Sequence, residues 1–208
     1  MMKPSLILIG AGGHARSCID VIERQGEYEI LGLVGLLEEV GSRILGYEVI
    51  ASDDDLAELT SSAEYALITL GQIETAEFRR HAYERAIQYA FKLPVAISPN
   101  AHVSRHAQIG AGSIVMHGAI VNAGAKVGRN CIVNSNALVE HDAIVGDHCH
   151  ISTGAILNGG VVVEEGSFLG SGCVIREGLT IGSGSLVGIG LTLRHKLPND
   201  SRFVGRAK

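Results

Sequence analysis

The stretch ALVEHDAIVGDHCHISTGAIL, residues 137–157, carries an aliphatic side chain at every sixth position: Val139, Val145, Ile151 and Leu157. Moving outward in steps of six keeps the pattern. It runs from Ile97 through Val103, Ile109, Val115, Val121, Val127 and Val133, and onward to Val163, Leu169, Ile175, Ile181, Val187 and Leu193. A fixed period held over that length marks a true internal repeat. A second phase agrees with the first. Four residues after the aliphatic the side chain is usually small, as at Ala119, Ala125, Cys131, Ala137, Ala143, Cys149 and Ala155. Glycine often follows the aliphatic directly, as at Gly110, Gly128, Gly146 and Gly170, and no proline lies between Pro99 and Pro198.

The physical reading is a triangular coil. Each six-residue unit gives one short flat strand and one corner, and three units close a turn. The aliphatic points inward and stacks on its equivalent eighteen residues away, so successive turns pair as parallel strands. The small residue fits near the corner, and glycine there takes backbone angles closed to other residues. Cys131, Cys149 and Cys173 occupy the small-residue phase and are read as packing residues.

Residues 1–95 have another rhythm. Ser5–Ile9 is a buried-strand run that meets the turn GAGGH at 10–14. A helix is predicted from there to about Gln25, because Ala15, Cys18, Ile19 and Ile22 share one face. Ile30–Val34 and Tyr65–Leu70 read as strands. Asp53–Leu59 reads as a short helix with Ser52 as its N-cap, and Glu74–Phe91 as a longer one with Phe78, Ala82, Ala86 and Ala90 in one stripe. Alternating strands and helices predict a Rossmann-like α/β domain with a parallel sheet, spanning 1–95, ahead of a β-helix spanning 96–208.

Composition narrows the function classes. An apolar fraction of 46% supports a packed core, and a net charge of −5 argues against nucleic acid as the main partner. The segment from Arg176 to Lys208 is locally basic, which fits either a solvated end cap or a phosphate-bearing cofactor. No secretory signal or membrane span is evident, and the four cysteines do not form a disulfide framework, so a cytoplasmic protein is predicted.

One polar constellation stands out within the repeat. His141 lies between Glu140 and Asp142, two residues after an inward aliphatic. Histidine titrates near neutrality and an adjacent carboxylate can orient it, which suits a general base. By itself the pattern also fits a solvent-facing histidine on a polar flank. His141, His148 and His150 crowd one stretch, but no ligand partner sits in a suitable phase, and no metal site is predicted. In the front domain GAGGHA lacks the last glycine of a dinucleotide fingerprint, since Arg16 follows Ala15, which disfavours a nicotinamide-dependent oxidoreductase. The turn nonetheless presents backbone N–H groups at a helix N-terminus, a setting for an anion.

The repeat resembles the left-handed parallel β-helix of the hexapeptide-repeat acyltransferases. Together with GAGGHA at 10–15, VEHDAIVGDHCHIS at 139–152 and VGRAK at 204–208, the chain resembles one branch of them. That branch is the sialic-acid O-acetyltransferase and bacillosamine-pathway (pilin-glycosylation type) sugar N-acetyltransferase family.

The resemblance implies an acetyl-CoA-dependent enzyme acting in bacterial surface-glycan synthesis, a homotrimer with active sites between adjacent β-helices, and no metal. It implies that His141 is the base, supported by Asp142, and that His150, Gly159, Gly170 and Ser171 meet the cofactor. Gly12, Gly13, His14, Gly71 and Asn134 would meet the sugar, with Gln72 at the pocket rim and Asn134 near the base. Arg194, Lys196, Arg202 and Arg206 would meet the cofactor phosphates.

The acceptor implied is the amine of a nucleotide-linked amino sugar. Alternatives are O-acetylation of sialic acid or a capsule sugar, and a non-enzymatic β-helix scaffold. One departure matters. Relatives that use a UDP-sugar follow the second strand with two aspartates, whereas this chain has Gly35 and Leu36 there, with Glu38 and Glu39 further along.

Overall fold

The computed structural model describes residues 3–205. The front domain opens with β1 (Ser5–Ile9), α1 (Gly13–Gln25) and β2 (Glu29–Gly35). A hairpin follows, β3 (Arg43–Ile44) and β4 (Tyr47–Ser52), then α2 (Leu56–Leu59), β5 (Tyr65–Ile68) and α3 (Glu77–Gln88). The five strands form one sheet in the order β3-β4-β2-β1-β5, parallel except for the β3–β4 pair. Leu6, Ile7, Leu8 and Ile9 are all buried because helices cover both faces of β1.

Several boundaries differ from the sequence reading. The hairpin escaped it because β3 has only two residues and Tyr47–Ser52 does not alternate cleanly. The segment Asp53–Leu59 divides into a 3-10 turn, Asp53–Asp55, and a single α turn, Leu56–Leu59. Ser52 is not a conventional N-cap: its N–H and Oγ both donate to Asp55 Oδ2, at 2.8 and 2.7 Å. The helix predicted from Glu74 is shorter at both ends, and its core stripe is Arg79, Ala82, Tyr83 and Ala86. Phe78 stays 74% exposed. Ala90 lies beyond the helix at φ +62°. Ala82 and Ala86 keep their places in the stripe, while Arg79 and Tyr83 stand in it instead of Phe78 and Ala90, because apolar periodicity misses a buried arginine.

From Ala96 onward two-residue parallel strands recur every six residues and fall into three sheets of seven, six and five strands. Up to Leu193 each strand pairs with the one eighteen residues away, as Val121 with Val139 and Val139 with Leu157, and the last, Arg202–Phe203, pairs with Leu186–Val187. The chain is therefore a left-handed parallel β-helix behind an α/β domain. The inward aliphatics and the small corner residues form one continuous core, in which Cys131, Cys149 and Cys173 are packed. Burial pushes the Cys131 and Cys173 thiols up to about 12, so both stay neutral.

The seven-stranded face is the one the front domain covers. Its outward side chains Ala96, Ile114 and Ile132 join Ala15, Cys18, Ile19 and Ile22 of α1 in one cluster. Polar clamps fix this docking. Arg79 on α3 is 1% exposed, donates to the carbonyls of Ile68 and Leu70 at 3.0 and 2.6 Å, and reaches Asn130 Oδ1 of the coil at 2.7 Å. His117 bridges Asp20 of α1, at 2.6 Å, to Ser98 at 2.5 Å. No helix among the described residues is long and apolar enough to cross a membrane.

Candidate active site

The turn after β1 is built around Gly10, at φ +119°, where any Cβ would meet Leu70 at 2.7 Å. Gly12 and Gly13 are open instead: nothing lies within 4 Å of a Cβ at either. They present the free N-terminus of α1, whose unpaired N–H groups and dipole favour an anion. His14 follows and turns inward against the coil, its ring centroid 6.3 Å from that of His150. Its Nε2 is buried without a hydrogen-bond partner. Burial, with Arg79 and His150 nearby, pushes the His14 pKa down to about 3, so the ring is neutral. Gly71 sits beside it, its Cβ position 3.6 Å from His14 Cβ.

His150 projects from the docking face. Its Nδ1 lies 2.7 Å from the Gln72 carbonyl, and its Nε2 lies 3.0 Å from Asn134 Nδ2. A carbonyl can only accept, so Nδ1 carries the proton and Nε2 accepts from Asn134. Burial holds the ring neutral, with a pKa pushed down to about 4. Phe168, the next residue along that face, stacks edge-on at 5.2 Å. Ser152 and Ser171 share a hydrogen bond at 3.0 Å on the adjoining corner. Gly170 lies on the same corner, where a Cβ would strike Ile189 N at 2.7 Å, so its first duty is close stacking of turns.

His141 stands elsewhere, on the corner between the six- and five-stranded faces. Asp142 takes φ +60°, and this left-handed turn brings its Oδ2 to 2.9 Å from His141 Nδ1. The bond to Asp142 raises the imidazole pKa above its ordinary 6.5. The imidazole is 67% exposed and lies against Gly159, one turn on, where a Cβ would come within 2.6 Å of Nε2. Glu140 is braced by Asn122, whose Nδ2 donates to Oε2 at 2.8 Å.

The predicted residues thus separate into two groups. Gly12, Gly13, His14, Gly71, Gln72, Asn134, His150, Gly170 and Ser171 gather over the docking face and its corner with the six-stranded face. His141, Asp142 and Gly159 occupy a different edge of the same coil. Within the chain Asn134 bonds to His150, and the asparagine bonded to Glu140, beside His141, is Asn122. The eighteen-residue turn contains this signal, since 141 and 159 share a phase while 141 and 150 are half a turn apart. Arg79 and Asn122 were missed because a buried arginine and a corner asparagine carry no periodic mark.

Below His141 and Gly159 the same edge continues to Arg176, Arg194 and Lys196, all exposed. Arg202 pairs loosely with Glu74, at 3.5 Å, and Arg206 lies outside the described residues. Among the described residues no cluster of three or more His, Cys, Asp or Glu side chains is arranged to hold a metal ion.

Comparison with known proteins agrees with this architecture. The PglD N-terminal domain family matches residues 5–86, and the bacterial transferase hexapeptide family (six repeats) matches residues 124–159. No curated protein sequence matches the chain. Among solved structures, PerB from Caulobacter crescentus in complex with CoA and GDP-perosamine is 32% identical over 94% of this chain and 91% of its own, with a TM-score of 0.88. A histidine-to-asparagine mutant of perosamine N-acetyltransferase from the same organism, with the same ligands, is 30% identical over 95% and 92%, at 0.89. The acetyltransferase domain of PglB from Neisseria gonorrhoeae in complex with acetyl coenzyme A is 34% identical over 97% and 96%, at 0.87.

Proposed function

This chain belongs to the hexapeptide-repeat sugar acetyltransferases of the pilin-glycosylation type, and from that premise we propose that it moves the acetyl group of acetyl-CoA onto the amine of a nucleotide-linked amino sugar. The observation that carries the reading is the His141–Asp142 pair. Nδ1 is held by the carboxylate, while Nε2 faces out over Gly159 with nothing to crowd it. A neutral imidazole so oriented can take a proton from an attacking amine and pass it to the departing thiolate. Asp142 fixes the tautomer and favours the imidazolium that forms.

The residues fit the co-substrate. One turn of the coil advances by about 4.8 Å along its axis. The three turns from His141 to His195 therefore span about 14 Å, the scale of a pantetheine arm. Arg176 stands two turns on and Arg194 and Lys196 three, where the phosphates of CoA would meet them. Acetyl-CoA supplies the activated acyl group, and this edge would bind it with its thioester beside His141.

The separation of the two groups supports a trimeric assembly. The acceptor turn and His141 lie on different edges of one coil, and a neighbouring copy would bring them together. The six-stranded face presents Ile120, Leu138, Ile156 and Val174 in an outward row, with Ile120 39% exposed, and Ile144 on the next face is 43% exposed. Those aliphatics suit an interface between copies packed about a three-fold axis. The site is then shared, with the base from one copy and Gly12, Gly13, His14 and Asn134 from the next. A cytoplasmic location accords with acetyl-CoA as donor.

The test is thiol release from acetyl-CoA against GDP- and UDP-linked 4-amino sugars, CMP-sialic acid and free sialic acid. Turnover with a nucleotide-linked amino sugar supports N-acetylation. Turnover confined to sialic acids would move the chain to O-acetylation, and none with any sugar would leave a scaffold.

A further inference from the structure

β2 ends on Gly35 and Leu36 follows it, so the position where a doubly wound domain usually places a ribose-binding acid has none. The structure returns one from further along. Leu37–Glu39 forms a 3-10 turn that folds Glu39 back, and Oε2 accepts the Leu36 N–H at 2.9 Å. Gly35 makes the room: a Cβ there would lie 2.7 Å from Oε2 and 2.9 Å from Ala11 Cβ. A side chain at 35 and the carboxylate of Glu39 therefore compete for one space. Oε1 carries no hydrogen bond among the described residues.

This carboxylate lines a cavity of about 250 Å³ at the C-terminal ends of β1 and β2, with Gly10, Gly12, Gly35 and Asp53. An adjoining cavity of about 230 Å³ shares Leu36, Asp53 and Leu70 and adds Leu56, Phe78 and Arg85. Charge gives the pair a direction. Phosphates suit the free N-terminus of α1 at Gly12 and Gly13 and are repelled by Glu39 and Asp53. An ionised carboxylate is acceptor-only and calls for O–H or N–H donors. The second cavity, with an exposed phenyl ring at its rim, suits a flat base.

We infer that Glu39 is the ribose-binding residue of the acceptor site, taking the 2′/3′ hydroxyls of a nucleoside diphosphate whose phosphates sit at Gly12–Gly13 and whose base lies against Leu36 and Phe78. This rests on the nucleotide-linked acceptor proposed above. Gly35 is then not a loss of nucleotide recognition but the condition for supplying the acid from residue 39.

The test is calorimetric binding of GDP, UDP and their 2′,3′-dideoxy counterparts to the full chain and to its Glu39→Gln variant. Loss of a hydrogen bond to a charged acceptor corresponds to about tenfold in affinity or more. The full chain should therefore lose about tenfold on the dideoxy ligands. The variant should bind the parent nucleotides about tenfold more weakly and lose little further on the dideoxy ones. An equal loss on deoxygenation in both proteins would overturn the role of Glu39 while leaving the nucleotide reading intact. Absence of binding by any nucleoside diphosphate, with acetyl-CoA still bound, would overturn both.

Discussion

The imidazole of His141 rests against the α-carbon of Gly159, eighteen residues on, so closely that a methyl group there would lie 2.6 Å from Nε2. The imidazole is seated by the turn that follows it, and glycine is the residue that leaves the ring its place. Gly159→Ala should displace the imidazole and lower kcat about as His141→Ala does, with the coil intact by circular dichroism. Normal turnover in G159A would show that the base works from another rotamer.

General acid–base catalysis contributes about 10²- to 10⁴-fold. His141→Ala should therefore lower kcat by a factor in that range, with acetyl-CoA affinity largely kept. Titration of the variant with CoA separates the two effects. Near-normal activity would remove His141 from the mechanism.

The bond to Asp142 raises the His141 pKa above 6.5, and a general base works only when neutral. Activity should therefore fall as pH drops through that raised value, placing the acid limb of kcat/KM above pH 6.5. Asp142→Asn removes the charge and should move the limb to lower pH while reducing the plateau. A limb that stays in place in D142N would mean another group governs it.

A site shared between copies predicts complementation. His141→Ala and His14→Ala chains, each weakly active alone, should regain activity when dissociated and reassembled together. With random mixing about a quarter of the sites would combine a wild-type base edge with a wild-type acceptor edge. Failure of mixed assemblies to exceed either parent would place both groups in one subunit's site. Sedimentation of Ile156→Glu should show dissociated chains.

Arg79 gives a stability prediction. Replacing it with methionine leaves the Ile68 and Leu70 carbonyls and Asn130 without their donor. Hydrogen bonds to charged groups are worth about 1.5–3 kcal/mol, so Arg79→Met should cost roughly 3 kcal/mol in urea unfolding. A cycle with Asn130→Ala should be non-additive, since the two share one interaction.

Sequence alone determined the β-helix, because a coil of six-residue units writes its packing directly into a local period. Every inward position from Ile97 to Leu193 is aliphatic for the same steric reason. It also singled out GAGGH and His141, whose residue types are unusual for their surroundings. Only the tertiary structure decided which of these residues lie together. His150 and Asn134 lie about half a turn from His141 and face the docked domain, and Arg79 and Glu39 are held by contacts with Asn130 and Leu36 that no periodicity encodes. A repeat fixes the distance from core to surface at each position. Which edge of the prism meets the front domain depends on how two folded units pack.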